Sequence, residues 1–487
     1  MTMRIAIIGG GPGGYVAAIR AAALGGEVTL IEKEQLGGTC LNRGCIPSKI
    51  MKHTADLFLN MQKADKAGIK VEGSIIPDML ALMEKKNKIL ETQRKGIASL
   101  LQSSRIKLEN AGAKIKASQK LELLFHDSSI QELEYDRLII ASGTEPLNVP
   151  DFPFDGRQIL SSNDLLELDN IPKSIVIVGG GVIGCEFAFI LSALGAEVTI
   201  VEAMSRLLPL PSVDEECSKL LQKEMKKRKI KVLCDTVVQS SAPLASAPQA
   251  SAPKDDSLDI HLGISPFTDN PAPKKLKTDK IKAEKLAVCI GRSPLSKDLG
   301  LEAIQLETSP RGWIEVDDRM ETKIKDVYAI GDILGPEKIM LAHVASHEGI
   351  IAAENAMGQD RKMNYEAIPG AIFTMPEIGT VGLSEAEALK KGMEINCFST
   401  NFRTLGKAHA IDEITGFAKM IVEKGSGKVL GVHIIGAHAT DLVAEATLAI
   451  NKGLSAQDIA HTVHAHPTLS EIMQELALKA SGTAIHS

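Results

Sequence analysis

LGGEVTLIE at residues 24–32 and LGAEVTIVE at residues 194–202 are one unit written twice. Upstream of each lies a short apolar run that ends in glycines: residues 5–8 before Gly9-Gly10-Gly11, and residues 175–178 before Gly179-Gly180-Gly181. The offset is 170 residues in both pairs (24 to 194, 5 to 175). Each copy therefore reads strand, glycine-rich turn, small-residue helix, strand, acid. That is a βαβ unit, used twice in one chain.

In the first copy Gly9, Gly11 and Gly14 form G-x-G-x-x-G and Glu32 ends the second strand. In the second copy Gly179, Gly181, Gly184 and Glu202 occupy the same places. The first glycine permits the tight turn. The second lets backbone approach a pyrophosphate, and the third lets helix and strand pack closely, with the helix start facing the anion. The closing glutamate can accept hydrogen bonds from ribose hydroxyls. A lone motif of this kind is weak, but two copies in full strand–helix–strand context predict two dinucleotide sites, one suited to FAD and the other to NAD.

Working outward, residues 77–101 carry a charged helical pattern. Residues 138–144 then read as a strand delivering the small turn Ser142-Gly143-Thr144 beneath a cofactor. Residues 286–292, with Gly291, are the counterpart in the second unit. Residues 240–277 are rich in Pro, Ala and Ser, and predict an exposed, mobile insertion without function. After Met357 the composition changes. Strand-like runs at 372–377, 418–422 and 429–435, then helical patterns at 440–451 and 470–480, predict a separate α+β dimerisation domain. The fold class is α/β: two Rossmann-like domains over 1–147 (FAD) and 148–286 (NAD), a central segment over 287–357 completing the FAD site, and the α+β domain over 358–487.

Bulk properties agree with this reading. The 487 residues suit about three domains, and 44% hydrophobic with 24% charged residues is an ordinary globular balance. A net charge of -6 and a pI near 6.1 predict neither a nucleic-acid nor a membrane partner. No apolar run reaches the ~18 residues a membrane helix needs, and no targeting segment is legible at the start. Seven cysteines, an odd and low count, predict a reducing compartment, the cytoplasm, in which a disulfide is catalytic rather than structural.

Two constellations carry the chemistry. GGTCLNRGCIPSK at 37–49 places Cys40 and Cys45 directly after the first unit. A zinc half-site would need two more ligands at similar spacing and none is near, so no metal is predicted. A redox-active pair beside a flavin is the better reading, and a helix start after Cys45 would stabilise a thiolate there. The second constellation is HAHPTLSE at 464–471, where Glu471 could orient His466. Spacing alone leaves two readings open here, a catalytic pair and an ordinary surface loop.

The chain resembles the pyridine nucleotide–disulfide oxidoreductase family over nearly its whole length, most nearly its dihydrolipoamide dehydrogenases. The resemblance rests on GGTCLNRGCIPSK, the two dinucleotide units, YAIGDI at 328–333, MLAH at 340–343 and HAHPTLSE. It implies that Cys45 is the sulfur nearest the flavin, forming the charge-transfer thiolate, and Cys40 the interchange thiol. It implies that Lys49 sits beside the flavin and pairs with Glu186. Asp332 is implied to bind the ribityl chain, with Met340, Leu341, Ala342 and His343 lining the flavin. Ala113 and Val237 complete the implied cofactor contacts.

The resemblance further implies that His466 is the general base, oriented by Glu471 and reaching the disulfide of the other subunit of a homodimer, with a cis His466-Pro467 bond. The implied reaction oxidises a dihydrolipoyl group, carried by the lipoyl domain of a 2-oxo-acid dehydrogenase complex or of the glycine cleavage system, and reduces NAD+. Glu202 favours NAD over NADP, although Arg206 lies near enough to matter. Glutathione-type reductases share the cysteine spacing but read CVPKK-like sequence after it and use NADPH. Mercuric reductases carry cysteines near the C-terminus, whereas the last one here is Cys397. A non-catalytic reading would require a lost catalytic group, and none is missing. Cys185, Cys217, Cys234, Cys289 and Cys397 read as structural. Asn42 and Arg43, between the paired cysteines, add a cation that could tune the thiolate.

Overall fold

The computed structural model describes residues 2–243, 257–268, 276 and 278–486. The duplicated units build two parallel sheets of one design. In the first the strands lie in the order Val327–Ala329, Arg137–Ile140, Arg4–Ile8, Glu27–Ile31, Lys107–Glu109. In the second the order is Lys231–Leu233, Glu197–Val201, Ser174–Val178, Lys285–Val288, Ile159–Ser161. Register repeats with sequence: Arg4 faces Glu27 in one sheet and Ser174 faces Glu197 in the other. Ile5, Ala6 and Ile7, like Ile175, Val176 and Ile177, are buried whichever face they point to, which is why these strands read as unbroken apolar runs.

The repeat extends further than the sequence reading took it. Between strands Lys107–Glu109 and Arg137–Ile140 of the first sheet, and between Lys231–Leu233 and Lys285–Val288 of the second, each unit carries a three-stranded antiparallel meander. In the first unit this is Ala111–Ala117, Lys120–Phe125 and Ile130–Glu134; in the second it is Thr236–Pro243, Leu258–Ile264 and Lys280–Ala283. The expected exposed insertion at 240–277 is therefore corrected over residues 258–264. Leu258, Ile260 and Leu262 are buried in a cluster with Val238, Ala283 and Leu286. Their alternation with Asp259, His261 and Gly263 is a strand signal that the surrounding Ser/Ala/Pro composition obscured. Residues 244–256, 269–275 and 277 of that expectation lie outside the described residues.

The C-terminal sheet is antiparallel throughout, in the order Gly370–Ile372, Glu377–Gly382, Val429–Gly436, Phe417–Glu423, Ile395–Asn401. Helices Ala439–Lys452 and Glu471–Ala480 pack on it. Residues 372–377 are not the expected strand but largely the turn between two strands, with a cis Met375-Pro376 bond. A proline there has no N–H to give a ladder. Among the described residues no helix is long and apolar enough to cross a membrane.

Two buried lysines fasten these layers. Lys86, 0% exposed in the middle of helix Met79–Ser103, donates to the Leu166 carbonyl at 2.7 Å and pairs with Glu167 at 2.7 Å. Lys419, on strand Phe417–Glu423, reaches Asp214 at 3.1 Å, Glu216 at 2.7 Å and Glu385 at 2.6 Å. Asp214 also caps helix Glu215–Lys227 by accepting from the Glu216 N–H. One cation thus ties the second parallel unit to the C-terminal sheet. Lys419→Met leaves the Asp214 carboxylate buried without its counter-charge, and is expected to cost roughly 3 kcal/mol of stability. The check is a lowered thermal denaturation midpoint; an unchanged midpoint contradicts it.

Candidate active site

The two glycine turns are near copies in three dimensions. Gly9 has φ +104° and Gly179 φ +103°. A Cβ on Gly14 would lie 1.8 Å from the Gly9 carbonyl oxygen, and one on Gly184 would lie 1.9 Å from that of Gly179. Only glycine lets the helix start this close to the strand end. By contrast, a Cβ on Gly11 would meet nothing nearer than the Gly38 Cα at 3.7 Å, and one on Gly181 would meet nothing within 4 Å. Open space over each helix start is what a pyrophosphate requires.

Each closing acid is held by backbone. Glu32 accepts from Gly10 N–H at 2.7 Å and Glu34 N–H at 2.8 Å. Glu202 accepts from Gly180 N–H at 2.5 Å and Met204 N–H at 2.7 Å. Both are buried at the lip of their turns, and each carboxylate oxygen keeps a lone pair for a ribose hydroxyl. A cavity of about 1260 Å³ runs from Gly9 and Glu32 past Ala113 and Ser142. The Ser142 hydroxyl is buried there with no hydrogen-bond partner among the described residues. An orphaned hydroxyl, a glycine-lined opening and a positioned carboxylate fit an adenine dinucleotide.

The inner end of this site contains a residue that sequence reading missed. Asp332 accepts from the Thr144 hydroxyl at 3.1 Å. Arg292 donates from Nε to the Thr144 hydroxyl at 2.6 Å and from Nη2 to the Thr144 carbonyl at 2.8 Å, and stands 3.9 Å from Asp332. Burial pushes the Asp332 carboxyl up, against the pull of Arg292 and Thr144. The signal was available: a cation immediately follows Gly291, in the turn that mirrors Gly143-Thr144. Met340 and Leu341 lead into helix Ala342–Ala356, and His343 bonds the Pro369 carbonyl at 2.9 Å. Val237 is half-buried on strand Thr236–Pro243.

The cysteines lie on two helices broken at Gly44: Cys40 within Gly38–Arg43, and Cys45 as the first residue of Cys45–Gln62. The pair opens to solvent on one side, with Cys45 exposed and Cys40 half-buried, while packed protein backs the other. The Cys40 thiol donates to Cys45, and this bond more than any other effect brings Cys45 down to about 7; desolvation opposes it and the Lys49 charge assists. The Cys40 thiol is raised in turn, chiefly by the same bond.

Lys49 is itself held from two sides. Its ammonium pairs with Glu186 at 2.8 Å and lies 4.2 Å from the Phe373 ring centroid, while Phe373 N–H donates to Glu186 at 2.9 Å. Arg43 is not the tuning cation the sequence suggested: it pairs with Glu34 at 2.5 Å. Asn42 is also engaged elsewhere, donating to the Leu36 and Gly38 carbonyls and accepting from Arg94.

His466 Nδ1 bonds Glu471 at 2.8 Å, and the other Glu471 oxygen accepts from Thr468 N–H at 2.9 Å. Burial pushes the Glu471 carboxyl up, but those bonds outweigh it and hold it low. A proton on Nδ1 leaves Nε2 as the basic nitrogen. The His466 side chain is 75% exposed, and the His466-Pro467 bond is cis. Within one chain neither His466 nor Glu471 makes a hydrogen bond to the cysteine pair. His464, two residues earlier, forms a second, half-buried pair with Glu445 at 3.0 Å.

Residues 3–349 match the family described as pyridine nucleotide-disulphide oxidoreductase, and residues 368–477 match the dimerisation domain of the same family. The chain belongs to that family. A dihydrolipoyl dehydrogenase of Chlamydia pneumoniae is 38% identical, covering 99% of this chain and 97% of that one. A dihydrolipoyl dehydrogenase of Bacillus subtilis is 37% identical over the full length of both. In fold the chain is similar to the crystal structure of LpdA from Mycobacterium tuberculosis, with a TM-score of 0.88, 24% identity and coverage of 98% and 99%. The matched dimerisation domain supports a homodimer.

The geometry of this oxidoreductase yields two expectations. Alkylation of the reduced protein at Cys45 should rise with a midpoint near pH 7, the value about which its thiol ionises. Lys49→Met should move that midpoint upward by roughly one pH unit; mass-mapped labelling rates across pH check this, and a downward move contradicts it. Arg206 donates to the carbonyls of Leu208 at 2.7 Å, Leu210 at 3.0 Å and Val213 at 3.3 Å. Engaged in this way, it is not available to a 2′-phosphate. Glu202→Ala should therefore weaken NAD+ use without creating efficient NADP+ use, read as the ratio of kcat/KM for the two nucleotides.

Proposed function

We propose that this protein oxidises protein-bound dihydrolipoamide to lipoamide while reducing NAD+ to NADH, as a homodimer carrying FAD. The observation that supports it most is the Cys40/Cys45 pair, with its acidified Cys45 thiol beside Lys49, in a chain that also presents an oriented, outward-facing His466 on its dimerisation domain. The close relatives named above are dihydrolipoyl dehydrogenases.

His466 of one subunit serves the cysteine pair of the other. Its Nε2 takes a proton from one substrate thiol, and Glu471 stabilises the imidazolium that results. The substrate thiolate attacks the sulfur of Cys40 in the oxidised pair. A substrate–Cys40 disulfide forms, and Cys45 leaves as a thiolate favoured by Lys49 and the helix start. The second substrate thiol then attacks the substrate sulfur of that bond, closes the cyclic disulfide and releases Cys40. FAD, when bound, couples this two-electron thiol chemistry to hydride transfer to NAD+. Glu32, Ser142 and Asp332 would hold FAD, and Glu202 the NAD+ ribose.

The division at 1–147, 148–286, 287–357 and 358–487 belongs to this reading, with the last segment as the dimer module. The substrate is carried on a lipoyl domain of a 2-oxo-acid dehydrogenase complex or of the glycine cleavage system. The low, odd cysteine count supports a reducing compartment for this reading, the cytoplasm.

The test is anaerobic mixing of the purified protein with dihydrolipoamide and NAD+. NADH should form. Cys40→Ser or Cys45→Ser should abolish it, and His466→Gln should lower kcat by about 10²- to 10⁴-fold while NADH oxidation by an artificial electron acceptor persists. Inert dihydrolipoamide, with glutathione disulfide turned over at the expense of NADPH, would overturn the proposal.

A further inference from the structure

One buried acid has no part in the chemistry above, yet it lies directly behind the flavin site. Glu348, on helix Ala342–Ala356, is 1% exposed. One of its oxygens accepts from Gly331 N–H at 2.7 Å and the other from the Tyr365 hydroxyl at 2.6 Å. Gly331 has φ +74° and opens the short turn Gly331–Leu334 that carries Asp332. The residue that Glu348 holds is therefore the one immediately before the carboxylate expected to grip the cofactor.

The surroundings leave this carboxylate without a directly paired cation. Lys338 is the nearest cation of the loop before the helix, and its ammonium lies 4.8 Å from the Tyr365 ring centroid rather than on Glu348. Asp332 adds like charge from the turn itself. Helix Pro12–Ala23, packed along the same helix, contributes Arg20, whose guanidinium is paired with Glu354 at 2.5 Å. Asp318 adds negative charge near Tyr365.

We propose that Glu348 is a positioning residue of the flavin site: its carboxylate locks the Ile330–Gly331 peptide, at the start of the turn that carries Asp332, and ties it to Tyr365, so that the pose of Asp332 follows whether Glu348 is charged. An ionised Glu348 accepts from both donors. Once protonated, one of its oxygens must donate, and the hold on either Gly331 or Tyr365 changes. Burial drives the carboxyl up to about 7, with the Tyr365 hydroxyl and Gly331 N–H opposing, which puts this change in the working range of an enzyme. The proposal rests on the flavin reading of the site.

The experiment uses the full-length, FAD-loaded protein and reads the visible spectrum of the oxidised flavin across neutral pH, with no turnover. The wild type should show a one-proton spectral step near pH 7. Glu348→Gln, which still accepts from Gly331 but cannot ionise, should retain the flavin and lose the step. Tyr365→Phe removes a bond that favours the anion and should move the step to higher pH, a result that a merely structural role does not produce. Glu348→Ala should weaken FAD binding by about tenfold or more in apoprotein reconstitution. A step that survives Glu348→Gln, or that stays in place in Tyr365→Phe, overturns the inference. Wild-type protein that holds flavin but shows no step sinks this inference alone; wild-type protein that holds no flavin sinks the proposed function with it.

Discussion

At Gly14 and Gly184 a helix begins so close to the strand before it that a single added carbon would overlap a carbonyl oxygen. That approach aims backbone N–H groups of the helix start at one point in space, where an anion can be held without any cationic side chain. It also brings the Gly10 and Gly180 amides onto Glu32 and Glu202, so turn and acid are fixed by the same contact. The apolar strands give this geometry its rigidity, because residues buried on both faces keep the sheet packed between layers of the domain. Both nucleotide sites are built outward from these two rigid corners.

Electrostatics at the thiol pair is a balance rather than a single effect. Packed protein behind the pair disfavours a thiolate, while the Cys40 hydrogen bond, the Lys49 charge and the helix start favour one, and the favourable effects win at Cys45. Lys49 can contribute only because Glu186 and Phe373 keep its ammonium in place. The acids behind the flavin site show the reverse outcome. Asp332 and Glu348 are both raised, since burial there outweighs the hydrogen bonds each accepts. One end of the site thus holds a thiol readier to ionise than usual, and the other holds carboxyls more reluctant to do so.

Much of this was legible in the sequence because it is local. The glycines, the closing acids, the cysteine spacing and the His466/Glu471 interval are all set within a few turns of chain, and an internal repeat exposes the glycines and acids twice. What stayed hidden is what long-range packing decides. Nothing near Lys419 in the sequence announces Asp214, and nothing near Glu348 announces Gly331 or Tyr365. Arg43 misled for a related reason: proximity in sequence to both cysteines suggested a tuning cation, but the side chain turns to Glu34. The strand Leu258–Ile264 was lost to averaging, since an alternation confined to seven residues is submerged in a window dominated by Ser, Ala and Pro.

The cradle around Lys49 joins three distant stretches of chain: its own helix, the Glu186 helix and the turn holding Phe373. The ammonium is steadied beside Cys45 only when all three have met. Without Phe373 in place the ammonium keeps only Glu186, and Cys45 risks losing part of the cationic help that adds to its bond from Cys40. Part of the thiol's reactivity is in this sense a property of the assembled fold, set by residues more than a hundred positions apart in the chain.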